Sequence, residues 1–375
     1  MGSVLIKPVG DRCNLGCRYC FFHPNRDTAP GETMPLPVLE TLIKNYLSYR
    51  DASDVRIFGW QGGEPTLAGI DFFETAMALQ KKYNRANRVI RNAFQTNGVL
   101  IDDDWARFFK RNDILVGLSI DGPAGYHNAN RLTMNGLGAF DLARKAWSVL
   151  SSQGVAVNAL VVVSKANEQK ASDVFRFLID DIKAEYAQFI PCVEWESDGR
   201  TPTEFSVSPG GYGRFLIDLF DAWRSESSRA FSVKIFDDLI LHLAGKPMGD
   251  CMHAPDCGSH FAILPNGDVF PCDFFINPDW RLGNVLKTDF NTLERTPKAR
   301  NFVRRKKRER SADCRSCPFL HVCGGGCPKL RPPGAPSLYY LCDDMKLFFS
   351  ERLDALKEMA AAVKIRMKQL QTPAR

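Results

Sequence analysis

Twelve cysteines constrain this chain more than any other feature, because they are clustered and because nothing ahead of them reads as an export signal. Cys13, Cys17 and Cys20 form CxxxCxxC near the N-terminus, and Cys192 stands alone. Cys251, Cys257, Cys272, Cys314, Cys317, Cys323, Cys327 and Cys342 crowd the last third. The start, MGSVLIKPVG, has no apolar run behind a basic region and carries Ile6 where a myristoylation signal needs Ser or Thr, so the sequence predicts a cytoplasmic protein. The reducing cytosol does not support a disulfide framework, which makes metal ligation the natural reading. The layout predicts a front site and a back site.

At 375 residues there is room for two or three domains, taking about 150 residues per domain as a guide. No stretch approaches the roughly 18 uninterrupted apolar residues of a membrane span. A net charge of +6, from 49 basic and 43 acidic residues, is too small to argue for nucleic acid without a focused patch. The one dense basic run, RRKKRER from Arg304 to Arg310, reads as a solvated helix face.

From Ser3 to about Pro191, short β-rich runs alternate with helical patterns. Strands are expected from Val4, Val55, Arg88, Ile114, Val155 and Tyr186. Leu39, Leu42, Ile43 and Tyr46 recur at helical spacing, with similar patterns over about 71–84, 138–152 and 168–181. Six βα units are too few to close an eight-stranded barrel, so an α/β fold with a partial (β/α)6 barrel is expected over 1–244. A cysteine-rich second domain follows over 245–342, where metals would supply stability that a small core cannot. Met345, Phe348, Phe349, Leu353 and Leu356 then mark a packing helix within 343–375.

The chemistry-bearing segments GGEP, QTNG and SIDGP fall at or just after strand ends, where parallel α/β sheets place their ligands. Three thiolates within eight residues can hold one corner of an iron–sulfur cube and leave one of its irons without a protein ligand. A structural zinc would need a fourth ligand, which His23 could supply. Two structural zinc sites would also suit the spacing of the last eight cysteines.

CxxxCxxC after a first strand, with Tyr19 before its last cysteine, resembles the radical S-adenosylmethionine (SAM) superfamily. The resemblance implies that Gly62, Gly63 and Glu64 of GGEP meet the methionyl amino group of SAM through backbone carbonyls. It also implies that Ser119 and Arg131 serve its ribose and carboxylate, and that Val193 packs on its adenine. The last third resembles the SPASM extension of radical SAM enzymes that modify proteins and peptides. That likeness assigns Cys251, Cys257, Cys272 and Cys327 to one auxiliary 4Fe-4S cluster and Cys314, Cys317, Cys323 and Cys342 to another, making three clusters with the N-terminal one. Cys192 is left over and reads as a small buried hydrophobe.

KPVGDRCNLGCRYCFFH, WQGGEPTLAG, FQTNGVLID, LVGLSIDGP and PCDFF with WRLGN behind it resemble the anaerobic sulfatase-maturating enzymes over nearly the whole chain. That resemblance implies oxidation of a Cys or Ser in a sulfatase to formylglycine by way of a 5′-deoxyadenosyl radical. It makes Asp273, directly after the third SPASM cysteine, the proton acceptor. A sulfatase or other peptide would be the partner, with an electron donor such as flavodoxin or ferredoxin. The chain departs from the family at Phe22 and Phe275, where members carry Tyr, and the departure bears on substrate preference. Two alternatives stand beside this reading. A maturase forming a crosslink or thioether in a ribosomal peptide often carries an N-terminal recognition domain, for which CxxxCxxC at Cys13 leaves no room. A non-enzymatic zinc or electron-carrier protein would leave GGEP, Ser119 and Arg131 unused.

Overall fold

The structure, a computed structural model, describes residues 3–22, 32–50, 53–226, 230–258, 260–332 and 338–371. His23 lies outside them. Contacts divide the chain into two compact units that interleave along the sequence. The first comprises Met1–Ile120, His127–Ala159 and Gly258–Val303; the second comprises Asp121–Tyr126, Leu160–Cys257 and Arg304–Arg375.

The strands are β1 (Ser3–Ile6), β2 (Val55–Trp60), β3 (Val89–Thr96), β4 (Ile114–Ser119), β5 (Val157–Val163), β6 (Tyr186–Pro191), β7 (Ser232–Val233), β8 (His260–Ile263), β9 (Asp268–Phe270) and β10 (Gly283–Asn284). All six strands expected from the β-rich runs form. In the first unit β1, β2, β3 and β4 are parallel neighbours in that order. On its other side β1 pairs in parallel with β8, and β9 and β10 continue the sheet antiparallel. The parallel crossovers are helices: α1 (Leu36–Leu47), α2 (Ile70–Tyr83) and α3 (Asp103–Arg111). This is the parallel α/β architecture that the alternating β-rich and helical runs predict.

The helices form where their apolar stripes predict, and α1 buries Leu39, Leu42, Ile43 and Tyr46 against the sheet. α3 was not among the expected helices, although its signal is present. Asp102 caps it by accepting from the Trp105 amide at 3.0 Å, and Trp105, Ala106, Phe108 and Phe109 make its buried face. Between sheet and helices Phe73 is the hub of an aromatic core, its ring 5.0 Å from Phe94, 5.4 Å from Trp60 and 5.8 Å from Trp105. Fully buried Arg56 ties off the end of α1 by donating to the carbonyls of Tyr46, Tyr49 and Ser53.

In the second unit β6 pairs in parallel with β7. Helices Gly211–Ser225 and Lys234–Leu243 pack with the long C-terminal helix Cys342–Gln371. Buried Asp344 of that last helix accepts from the amides of Gly210 at 3.1 Å and Gly213 at 2.9 Å, capping the start of Gly211–Ser225. Phe348 stacks on Phe236 with ring centroids 5.8 Å apart, so the C-terminal segment is the packing helix that its spacing predicts. Among the described residues no helix is long and apolar enough to cross a membrane.

Candidate active site

The first unit gathers the front motifs around one cavity of about 160 Å³ at the C-terminal ends of its parallel strands. Cys13, Cys17 and Cys20, from the loop after β1, line it together with Gly62, Gly63 and Glu64 after β2, Ser119 at the end of β4 and Arg131 beyond it. Two glycines make this approach possible. Gly62 has φ +88° and a Cβ there would sit 2.6 Å from Cγ of Lys7, while Gly63 has φ +51° and its Cβ would sit 2.1 Å from the Arg12 carbonyl oxygen. Burial pushes the Cys13 thiol up to about 12, so its thiolate needs a cation beside it. Three convergent thiols over bare backbone fit an iron–sulfur cluster with polar groups ready for a second ligand.

Glu64 does not reach into that space with its carboxylate. Its oxygens accept from the Thr66 hydroxyl at 2.7 Å and amide at 3.1 Å, the Thr96 hydroxyl at 2.8 Å and the Asn97 amide at 2.8 Å. The side chain is consumed in fastening β2 to β3, and its amide donates to the Arg12 carbonyl at 2.9 Å, so its carbonyl, which accepts once from the Leu67 amide, is the group with capacity left for a ligand. Tyr19 is buried behind the loop with the Arg131 guanidinium 5.4 Å above its ring. Val193 belongs to the second unit, where it is fully buried and its carbonyl accepts from Lys329 at 2.8 Å. Cys192 beside it is also buried, as its reading as a packing residue predicts.

Asp273 opens the short helical turn after β9. Gln61 donates to its Oδ2 at 3.2 Å, and its Oδ1 lies 3.6 Å from both His260 Nε2 and Cys272 Sγ. Burial opposes ionisation, but contact with His260 and the nearby charge of Lys7 outweigh it and hold the carboxyl well below the usual carboxylate range. Asp273 faces a second, larger chamber of about 710 Å³, walled by Phe21, Phe22, Phe274, Leu264 and Pro265. Phe21 and Phe22 line both spaces and form their common wall. The two Tyr-to-Phe departures therefore differ in consequence. Phe22 faces the site, whereas the ring of Phe275 packs on Phe302 at 5.3 Å and Trp280 at 6.5 Å. Sequence reasoning missed Lys7, Gln61 and His260; Gln61, directly before GGEP, carried the clearest signal.

The second unit brings Cys314, Cys317, Cys323 and Cys342 around one small cavity, with the Tyr339 hydroxyl 3.2 Å from Cys323. Cys251, Cys257 and Cys327 belong to the same unit and act together on Lys306; Cys272 belongs to the first. Lys306 corrects the reading of RRKKRER as a solvated face. It is fully buried and donates to the carbonyls of Cys251 at 3.1 Å, Met252 at 2.6 Å and Ala254, shaping the Cys251–Cys257 loop from inside. Lys306→Met should strand those carbonyls and cost about 2–4 kcal/mol, several charged hydrogen bonds in scale. The loss should appear as an earlier urea midpoint and reduced iron per chain after reconstitution; an unchanged midpoint would contradict this role.

The radical SAM superfamily matches residues 8–178, and the SPASM iron–sulfur cluster-binding domain matches residues 251–318. The chain is 35% identical over 371 residues to the cysteine-type anaerobic sulfatase-maturating enzyme of Clostridium perfringens, covering 96% of this chain and 99% of that one. It is 35% identical over 367 residues to the serine-type enzyme of Bacteroides thetaiotaomicron, covering 92% and 88%. The solved structure of native anSMEcpe with bound AdoMet superimposes with a TM-score of 0.89 at 35% identity, covering 96% of this chain and 100% of that one. The same protein with AdoMet and the Cp18Cys peptide gives 0.89 at 34% identity, covering 96% and 99%.

Proposed function

Because this chain belongs to the radical SAM/SPASM family of anaerobic sulfatase-maturating enzymes, we propose that it oxidises a Cys or Ser side chain of a target sulfatase to formylglycine. Identity to cysteine-type and serine-type relatives is equal at 35%, so both side chains stay within the proposal. The observation that carries it is the position of Asp273. A partly buried carboxylate oriented by Gln61 and His260 faces an apolar chamber, across a phenylalanine wall from the three-cysteine cavity.

Cys13, Cys17 and Cys20 would hold a 4Fe-4S cluster, with the Gly62–Glu64 main chain, Ser119 and Arg131 holding SAM, Tyr19 bracing Arg131, and Val193 packing on adenine. Cys251, Cys257, Cys272 and Cys327, and Cys314, Cys317, Cys323 and Cys342, would hold the two auxiliary clusters. When bound, the front cluster with SAM would supply 5′-deoxyadenosyl radical chemistry at the target Cβ, and the fully ligated clusters would supply one-electron acceptance. Asp273 accepts the thiol or hydroxyl proton. Gln61 on Oδ2 and His260 near Oδ1 together set the orientation of the carboxylate. Phe21, Phe22 and Phe274 give the chamber an apolar wall against which the reacting carbon would lie. A thioaldehyde from Cys then exchanges sulfur for oxygen with water, releasing hydrogen sulfide.

A peptide deuterated at the target Cβ tests the reading. Deuterium should appear in 5′-deoxyadenosine in step with aldehyde; aldehyde formed with unlabelled 5′-deoxyadenosine would contradict it.

A further inference from the structure

Lys7 follows β1, where its amide donates to the Ile263 carbonyl at 3.0 Å. Its side chain is fully buried, and Nζ has no hydrogen-bond partner among the described residues. The ammonium lies 4.1 Å from the centroid of the Phe22 ring and lines the same cavity as Cys13, Cys17 and Cys20. Its stem is accommodated by the missing Cβ of Gly62, so the fold reserves room for it.

A cation in this position is expensive. Burying an unpaired ammonium forfeits its hydration, and a cation–π contact returns only part of that loss. Met or Leu would fill the same space without that penalty. The groups that act electrostatically on Lys7 are Asp273, Cys272 and Cys20, all of them anionic when the site is loaded and ionised. Asp273 supplies a negative charge whether or not the thiols are ligated, and ligated thiolates add to the negative charge that the ammonium faces.

Resting on the family function proposed above, we propose that Lys7 is a tuning residue for the group held by Cys13, Cys17 and Cys20. Its buried ammonium offsets the negative charge that accumulates there on reduction and so raises the reduction potential of that site. Net charge, hydrogen bonds and solvent exposure are the levers by which a protein sets such a potential, and a buried cation in an apolar wall is screened little. The role is one of tuning and positioning, since Lys7 takes no part in the proton transfer assigned to Asp273.

The test uses the full chain, reconstituted anaerobically with iron and sulfide, as parent, Lys7→Met, Lys7→Gln and Lys7→Arg. Electron paramagnetic resonance follows, during a redox titration, the reduced-cluster signal that disappears in the Cys13/Cys17/Cys20→Ala variant. At the parent's midpoint, Lys7→Met and Lys7→Gln should show a reduced-to-oxidised ratio about tenfold lower, which is about 59 mV for a one-electron couple. Lys7→Arg, which keeps the charge, should return most of that ratio. Because a buried ammonium destabilises the unloaded fold, Lys7→Met should melt no earlier than the parent as apoprotein. A neutral variant with parental iron and an unchanged midpoint overturns the proposal, as does an apoprotein whose melting falls while the midpoint stays put. Adding SAM to the parent is a separate arm. Failure of the signal to respond to SAM would sink the proposed function, while the midpoint comparison would still decide the role of Lys7.

Discussion

Asp273→Asn should form aldehyde at least about a hundredfold more slowly than the parent, at the lower end of what a positioned general base contributes, while still cleaving SAM. Asparagine keeps the shape of the side chain and can still accept from Gln61, so the fold around β9 has no reason to change. What it loses is the negative charge and the capacity to take a proton. In the proposed mechanism hydrogen abstraction from Cβ precedes or accompanies deprotonation, so 5′-deoxyadenosine should continue to accumulate and become uncoupled from product. Chromatography of 5′-deoxyadenosine beside mass analysis of the peptide separates the two. Turnover at the parental rate would place the base elsewhere, and His260, 3.6 Å away, would be the next group to replace.

Replacing Cys13, Cys17 and Cys20 together by Ala should have the largest effect, abolishing SAM cleavage altogether. Among the described residues the cavity they line has no other thiol, and removing all three would leave the proposed SAM contacts Gly62, Gly63, Ser119 and Arg131 with nothing to position SAM against. The second unit keeps its own seven ligand candidates and the first keeps Cys272. Iron per chain should therefore fall by about one third, the share of one cluster in three, with the remainder spectroscopically intact. Zinc in place of the remaining iron would remove the electron-relay role from the back of the chain.

Much of this site was legible because its parts are periodic or spaced. Alternation and helical stripes located β1 to β6 and α1, and the cysteine spacings with GGEP marked both ends of the chemistry. What escaped was set by partners far away in sequence. β8 reads as one of several short strands in a cysteine-rich stretch, yet it completes the parallel sheet beside β1 because Ser3–Ile6 pairs with His260–Ile263, which nothing local to either segment encodes. Lys7 and His260 are single polar residues with no pattern around them; their meaning comes from the walls that bury them. Lys306 was misread because a run of charges looks solvated, although it stands four residues after buried Phe302 on the same helix face. Phe22 and Phe275 looked equivalent as sequence departures, and only packing separates the one at the site from the one in a ring cluster.

The measurement that bears most directly on the proposed function is the mass of a short peptide incubated anaerobically with the reconstituted chain, SAM and reductant. Peptides carrying Cys-x-Pro-x-Arg and Ser-x-Ala-x-Arg, the motifs that the family resemblance implies, are the substrates offered. Conversion to formylglycine should remove about 18 Da from the Cys peptide or about 2 Da from the Ser peptide, as the formulae of aldehyde formation under this cofactor chemistry require. A loss of about 2 Da from the Cys peptide that persists in water as a ring or thioether crosslink, or no mass change while 5′-deoxyadenosine accumulates, would contradict formylglycine formation.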